Sequence, residues 1–345
     1  MQLYWIKNEI DYLIRENVIN INEVRMIFGK GYAAKRNVVL YNAIKQNMDY
    51  LVFLDDDEYP MAVTRTRNTA IWGGQEILTS HLKYIPQADI THGNHCGYIS
   101  PIPYIEFNDT MSEADFRVFI EAISNDIINW DTLKTVMKNG GVTYADTKVL
   151  TSNDAIAVQE TNHAKFISGA NLGINLTDSR RIFPFYNPPG ARGEDTFLST
   201  CLSERKVLRV PCYTFHDGFS TYNDLLEGVL PLRLKFIKAD TEQVTTRFYK
   251  ACIGWIRYKP LLQQLQETLP KICAYFRKPE FMYILTELNK YDKNVKKHHH
   301  EFLETRRIWA KIMEHFAQRE NTGHCLSDCM LYNASPIHHT KVMEQ

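Results

Sequence analysis

The sequence predicts an α/β fold, a mixed sheet flanked by helices and followed by a mainly α-helical C-terminal region, on three observations. Tyr50–Pro60, YLVFLDDDEYP, is a short apolar run of strand character that ends in four acidic residues. Around it, segments with apolar residues at helical intervals alternate with short strand-like runs. Beyond Asn223 the strand-like runs stop, and helical patterns punctuated by Pro231, Pro260, Pro270 and Pro279 take over.

Taken in order, Leu3–Glu16 places Leu3, Ile6, Ile10, Leu13 and Ile14 at helical spacing, so one helix face is expected to be buried. Val24–Phe28 reads as a short strand. GKGYAAKRNVVLYNAIKQN is then a glycine-bearing turn feeding a helix with Ala33, Val39, Leu40, Ala43 and Ile44 on its apolar face. Lys35, Arg36 and Asn37 fall in its first turn, where a helix favours anions. Thr69–Tyr84 reads as helix, and Ala88–Ser100 as a strand or hairpin. Ser112–Trp130 opens on a helix cap, Ser-Glu-Ala-Asp, followed by Phe116, Phe119, Ile120 and Ile123 at helical intervals. Lys138–Asn162 is polar and reads as a mobile connection with short strands. Phe166–Leu176, FISGANLGINL, is a strand interrupted by Ser168, Gly169 and Ala170, small residues that suit close approach of a ligand or another backbone. A Pro/Gly loop, Asn187–Arg192, precedes Glu194 and Asp195, which open a helix with Phe197, Leu198 and Leu202 inward. Val207–Val210 is a further strand, leading to His216, Asp217 and Gly218. Leu225–Ile237, Glu242–Tyr258, Leu261–Leu269, Phe281–Tyr291 and His298–Arg319 are helical by pattern, which divides the chain into 1–222 and a helical 223–345.

Composition narrows the function. With 345 residues, 44% of them hydrophobic, the chain can bury a sizeable core. Its 40 basic residues balance 40 acidic ones, so nothing points to nucleic acid as a partner. No apolar run approaches a membrane span and the N-terminus is too charged for a signal peptide, so a cytoplasmic protein is expected. Arg247, Lys250, Arg257 and Lys259 accompany aromatic residues, a pattern that fits peripheral membrane contact but more commonly marks a solvated face. Seven scattered cysteines suggest reduced thiols and no disulfide framework. His324, Cys325, Cys329, His338 and His339 are zinc-ligand types, yet their spacing matches no strong zinc pattern.

The chemistry concentrates in the acidic run. Open α/β sheets place ligands at the C-terminal ends of their strands, where Asp55, Asp56 and Asp57 crowd three negative charges. Such crowding raises carboxylate pKa values unless a cation relieves it, and Mg²⁺ and Mn²⁺ prefer carboxylate and phosphate oxygens. The competing reading is an acidic turn capping the next helix. Glu194 and Asp195 likewise complement a helix dipole, and His92 and His95 read as hydrogen-bonded histidines of a half-buried strand.

Four short motifs nevertheless occur in a set order: KRN at 35–37, DDD at 55–57, SGAN at 168–171 with GED at 193–195, and HDG at 216–218. Across Val24–Tyr222 this resembles the family 2 type nucleotide-sugar glycosyltransferases, with the fold called glycosyltransferase A. Within that family it is similar in motif style to the galactofuranosyl-polymerising enzymes. The resemblance implies a metal-dependent inverting enzyme that moves a sugar from a nucleotide-sugar donor to a glycan or glycolipid acceptor, in surface polysaccharide synthesis. Asp57, with Asp55 and His216, would bind Mn²⁺ or Mg²⁺; Arg36, Asn37, Asp55 and Asp56 would lie by the donor. Asp195 would be the general base, and Glu194 would hold the acceptor or orient that base. The family's usual opening strand and Thr-Tyr-Asn-type loop do not precede Val24, so an incomplete nucleotide pocket or a shortened chain is expected. A noncatalytic glycan- or protein-binding relative is the alternative. A dehalogenase-type phosphotransferase is disfavoured, because it would leave the GED and HDG stretches idle.

Overall fold

The computed structural model describes residues 2–99, 101–123, 129–161, 164–188, 193–258, 270–277, 283 and 291–321. Three helices open the chain: α1 Gln2–Arg15, α2 Ile21–Phe28 and α3 Tyr32–Lys45. The expected strand at Val24–Phe28 is therefore a helix, and its cause is local. Asn20 accepts hydrogen bonds from the Asn22 and Glu23 amides while the Glu23 carboxylate accepts from the Asn20 amide, a reciprocal cap that starts a helix. Val24 and Ile27, three apart, then face the core.

The central sheet has six strands: β1 Tyr50–Leu54, β2 Glu58–Tyr59, β5 Ile90–Gly97, β6 Ile156–Ala157, β7 Asn171–Asn175 and β8 Val207–His216. Their order is β1-β7-β5-β8-β2, with β6 also on β8. The sheet is mixed: β7 is antiparallel to β1 and β5, whereas β5 and β8 are parallel. The C-terminal ends of β1, β5 and β8 thus share one edge with the start of β7. β8 runs past Val210 through Pro211, which has no N–H to donate. The register shifts opposite it between His92 and Asn94, and the Asn94 amide donates to the Val210 and Cys212 carbonyls instead.

The expected helix over Thr69–Tyr84 is half strand. β3 Met61–Thr66 and β4 Thr69–Gly74 form a separate hairpin, and helix α4 covers only Ile77–Tyr84. Arg67 takes a left-handed conformation, φ 53°, at the tip, the twist that two-residue hairpins require. α5 Glu113–Ile123 falls within the expected helix Ser112–Trp130, of which 124–128 lie outside the described residues; a further helix, α6 Trp130–Lys138, follows, and Lys138–Asn162 carries the short helix α7 Thr147–Leu150 and β6, Asn162 lying outside the described residues. α8 Glu194–Ser199 begins at the expected acids. Leu225–Ile237 is not a helix: a single 3-10 turn, Leu225–Glu227, ends at left-handed Gly228, and Pro231 follows. α9 Glu242–Tyr258 and the long α10 Tyr291–Asn321 complete the fold. Leu261–Leu269, most of Phe281–Tyr291 and the cysteine- and histidine-bearing tail lie outside the described residues.

Two large apolar clusters hold these layers. One joins α5 and α6 to α9 through Phe116, Phe119, Phe248, Cys252 and Phe276. The other joins α1–α3 and the sheet to α10 through Leu13, Leu40, Tyr41, Leu172, Trp309 and Met313. Each burial of a side chain of this size is worth about 1.5–3 kcal/mol, so the second cluster fastens α1–α3 and α10 to the sheet. Cys96, Cys201, Cys212 and Cys252 are thiols outside any disulfide, and among the described residues no helix is long and apolar enough to cross a membrane.

Candidate functional site

The shared sheet edge gathers the acids. β1 delivers Asp55, whose amide donates to the Ala170 carbonyl at the start of β7. β2 sets Glu58 opposite His216 on β8, and the Asp217 amide donates to the Asp57 carbonyl, so the acidic run and the HDG stretch are laced together. From the other side, α8 presents Glu194 and Asp195 on its first turn.

Arg36 is the hub. Its guanidinium donates to the Gly169 carbonyl (2.6 Å) and to Asp55 Oδ1 (2.7 Å), lies 3.5 Å from Glu194 Oε1, and stacks over Phe53 and Phe185. It therefore ties β1, β7 and α8 at one point. The small residues of SGAN make room for this. A Cβ on Gly169 would stand 3.4 Å from both the Arg36 guanidinium and Asp195, so the close neighbours here are side chains, not a second backbone.

Asp195 accepts from the amides of Gly169 (3.3 Å) and Thr196 (2.8 Å). Burial, and then the adjacent Glu194 carboxylate, push it up to about 6, while Arg36 and the two amides pull the other way. A partly exposed carboxylate with that pKa is suited to take up a proton near neutral pH. Burial, with Glu58, Asp57 and Glu194 nearby, also raises Asp55, against the pull of Arg36.

Asp57 has the opposite character. Its Oδ2 lies 3.1 Å from His216 Nε2, and that hydrogen bond, against some burial, holds its carboxyl below the usual range. The same nitrogen lies 3.2 Å from Arg247, which reaches in from α9, donates to the Gly218 carbonyl and stacks on Tyr98 and Phe219. One tautomer of His216 cannot serve both neighbours. Protonated at Nε2 it faces a donor, and deprotonated it faces a carboxylate. A cation between Asp57 and His216 would satisfy carboxylate and lone pair together, so these two residues fit Mn²⁺ or Mg²⁺. Such ions take part of their ligands from substrate phosphates and water. Asp55, turned toward Arg36, is not the third member of that pair, and among the described residues no group of three His, Cys, Asp or Glu is arranged to hold a metal ion.

One expected donor contact falls elsewhere. Asn37 is fully buried and stitches backbone, donating to the Ile27 and Phe185 carbonyls and accepting from the Phe185 amide, so it cannot touch a donor. Asp56 is exposed at the mouth. Residues missed from sequence are Arg247 and the pair Glu58 and His95, 3.0 Å apart beneath the acidic run. Burial alone would lower His95, but Glu58 overcomes it and holds His95 above its ordinary value; the same pairing holds Glu58 below its own despite burial. The fourth acid of DDDE was the signal for Glu58, whereas nothing local marks Arg247. A hollow bounded by Asp89, Arg181 and Arg205 lies at the other end of the strands and shares none of these groups.

No protein-family model, curated protein or solved structure matches the chain.

Proposed function

We propose that the protein is a metal-dependent inverting glycosyltransferase with the glycosyltransferase A fold, moving a sugar from a nucleotide-sugar donor to a hydroxyl of a glycan or glycolipid. One observation carries the reading. Arg36 and Gly169 tie Glu194 and Asp195 to Asp55, and Asp57, two residues beyond Asp55 on the same sheet edge, pairs with His216, so that segments distant along the chain supply one elevated carboxylate and one depressed one. Divergent pKa values in neighbouring acids are the mark of a division between proton transfer and charge binding.

In this reading Asp195 accepts the proton of the acceptor hydroxyl as that oxygen attacks the anomeric carbon, opposite the departing diphosphate. Single displacement inverts the centre. Glu194, braced by Arg36, keeps the Asp195 pKa high and offers an oxygen to the acceptor. Asp57 and His216 would hold the divalent ion, which when bound supplies neutralisation of the diphosphate charge. Arg247 adds a fixed positive charge beside His216.

The test is a screen of nucleotide sugars for Mn²⁺-dependent release of nucleotide. Asp195→Asn should lower turnover by about 10²–10⁴-fold, the usual worth of a positioned base, and Asp57→Ala should abolish the response to Mn²⁺. Wild-type rates in both variants, folded by circular dichroism, would remove these residues from the reaction, and a folded wild type that releases nucleotide from no donor would leave a noncatalytic binding module as the reading.

A further inference from the structure

A second surface, separate from the acidic groove, carries apolar side chains turned outward. The loop after β8 divides its residues: Leu225, Leu234 and Ile237 enter the core, whereas Leu226 (81% exposed), Val229 (59%) and Leu232 (72%) face solvent. Ile71 on β4, 50% exposed, stands beside them. The loop is fixed against the hairpin: the Ala70 amide donates to the Leu232 carbonyl, the Trp72 indole to the Pro231 carbonyl, and Arg233 to the Asn68 carbonyl. These leucines are thus held outward by an ordered backbone, which is unusual for solvent-facing residues that have no partner.

The charges beside them point to one occupant. Arg65 and Arg67 at the hairpin tip, with Arg233 and Lys235 on the loop, are exposed, against Asp224 and Glu227. We propose that this loop and hairpin dock the protein on an anionic lipid surface, with Leu226, Val229 and Leu232 entering the boundary between headgroups and acyl chains and the arginines meeting lipid phosphates. Such binding strengthens with apolar area buried and with attraction of nearby cations to anionic lipid, and this surface offers both. Docking here is independent of whether the acidic groove transfers sugar. β3 continues directly from the acidic run and the loop from His216, so a docked molecule would hold that groove near the lipid.

The experiment is sedimentation of the full chain with phosphatidylcholine vesicles, with and without about one-third phosphatidylglycerol. The wild type should bind the anionic vesicles and release at high salt. The Leu226→Glu/Leu232→Glu variant should lose binding by tenfold or more. The Arg67→Glu/Arg233→Glu variant should lose it likewise, while Leu78→Glu/Leu82→Glu on α4 should bind as wild type. Thermal melts establish that each variant is folded, and because Arg67→Glu/Arg233→Glu tests the same surface by charge alone, a melted leucine variant does not blunt the test. Equal binding to neutral vesicles, or retained binding in the folded patch variants, overturns the proposal. So does a wild-type dimer in light scattering that the leucine variant dissociates, since the patch would then be covered by protein.

Discussion

An ordinary aspartate is charged well below pH 5, but burial and then Glu194 hold Asp195 at about 6. Two consequences follow with fixed sign. Transfer should climb with pH through about 6 as the base loses its proton. Because the folded-state value lies above the unfolded one, the contribution of this group to stability is present at low pH and lost as pH rises through about 6. Asp195→Asn removes that loss. Its melting temperature relative to wild type should therefore rise between pH 4 and 7, on the order of 1–2 °C once partial exposure is allowed for. Melts at several pH values check this; a difference that stays flat with pH contradicts it. Asp195, Asp57 and His216 were legible in the sequence because each sits in a short local string. Arg247 was not, since its place depends on how α9 packs, and the Glu58–His95 pair was not, since it depends on strand register.

At the scale of elements, Asn37 decides how α3 is seated. Its side chain serves the Ile27 carbonyl at the end of α2 and both backbone groups of Phe185, and it is itself fully buried. Asn37→Ala leaves those groups unsatisfied and should cost about 2–4 kcal/mol, read as a lower urea midpoint with an unchanged slope. The basic KRN string suggested anion binding because composition cannot distinguish a side chain that faces out from one that faces in. Elements were legible where periodicity was strong, as in α3, β1, β8 and α9. They were misread where a few residues outweighed it: the Asn20–Glu23 cap made a helix of VRMIF, the left-handed Arg67 made a hairpin of Met61–Gly74, and Gly228 with Pro231 unwound an apolar run that otherwise reads as helix.

Across the whole molecule, the C-terminal helices share cores with elements from the first part of the chain. Phe248 and Phe276 pack with Phe116 and Phe119, and Trp309 and Met313 pack with α1–α3. Ending the chain after residue 222 would strip these faces, and losing even one buried Phe or Trp typically costs 3–5 kcal/mol. The shortened chain should be insoluble or lack a cooperative melt; a sharp calorimetric transition would show that the first part folds alone. Arg247 gives this arrangement a further reach. It is anchored in a helix that packs on α5 and the residues at 272–276 through Phe248, Ala251 and Cys252, yet its tip touches His216 at 3.2 Å. Sliding α9 by one residue, about 1.5 Å, is enough to break that touch. The packing of that helix therefore decides where the Arg247 charge sits beside His216.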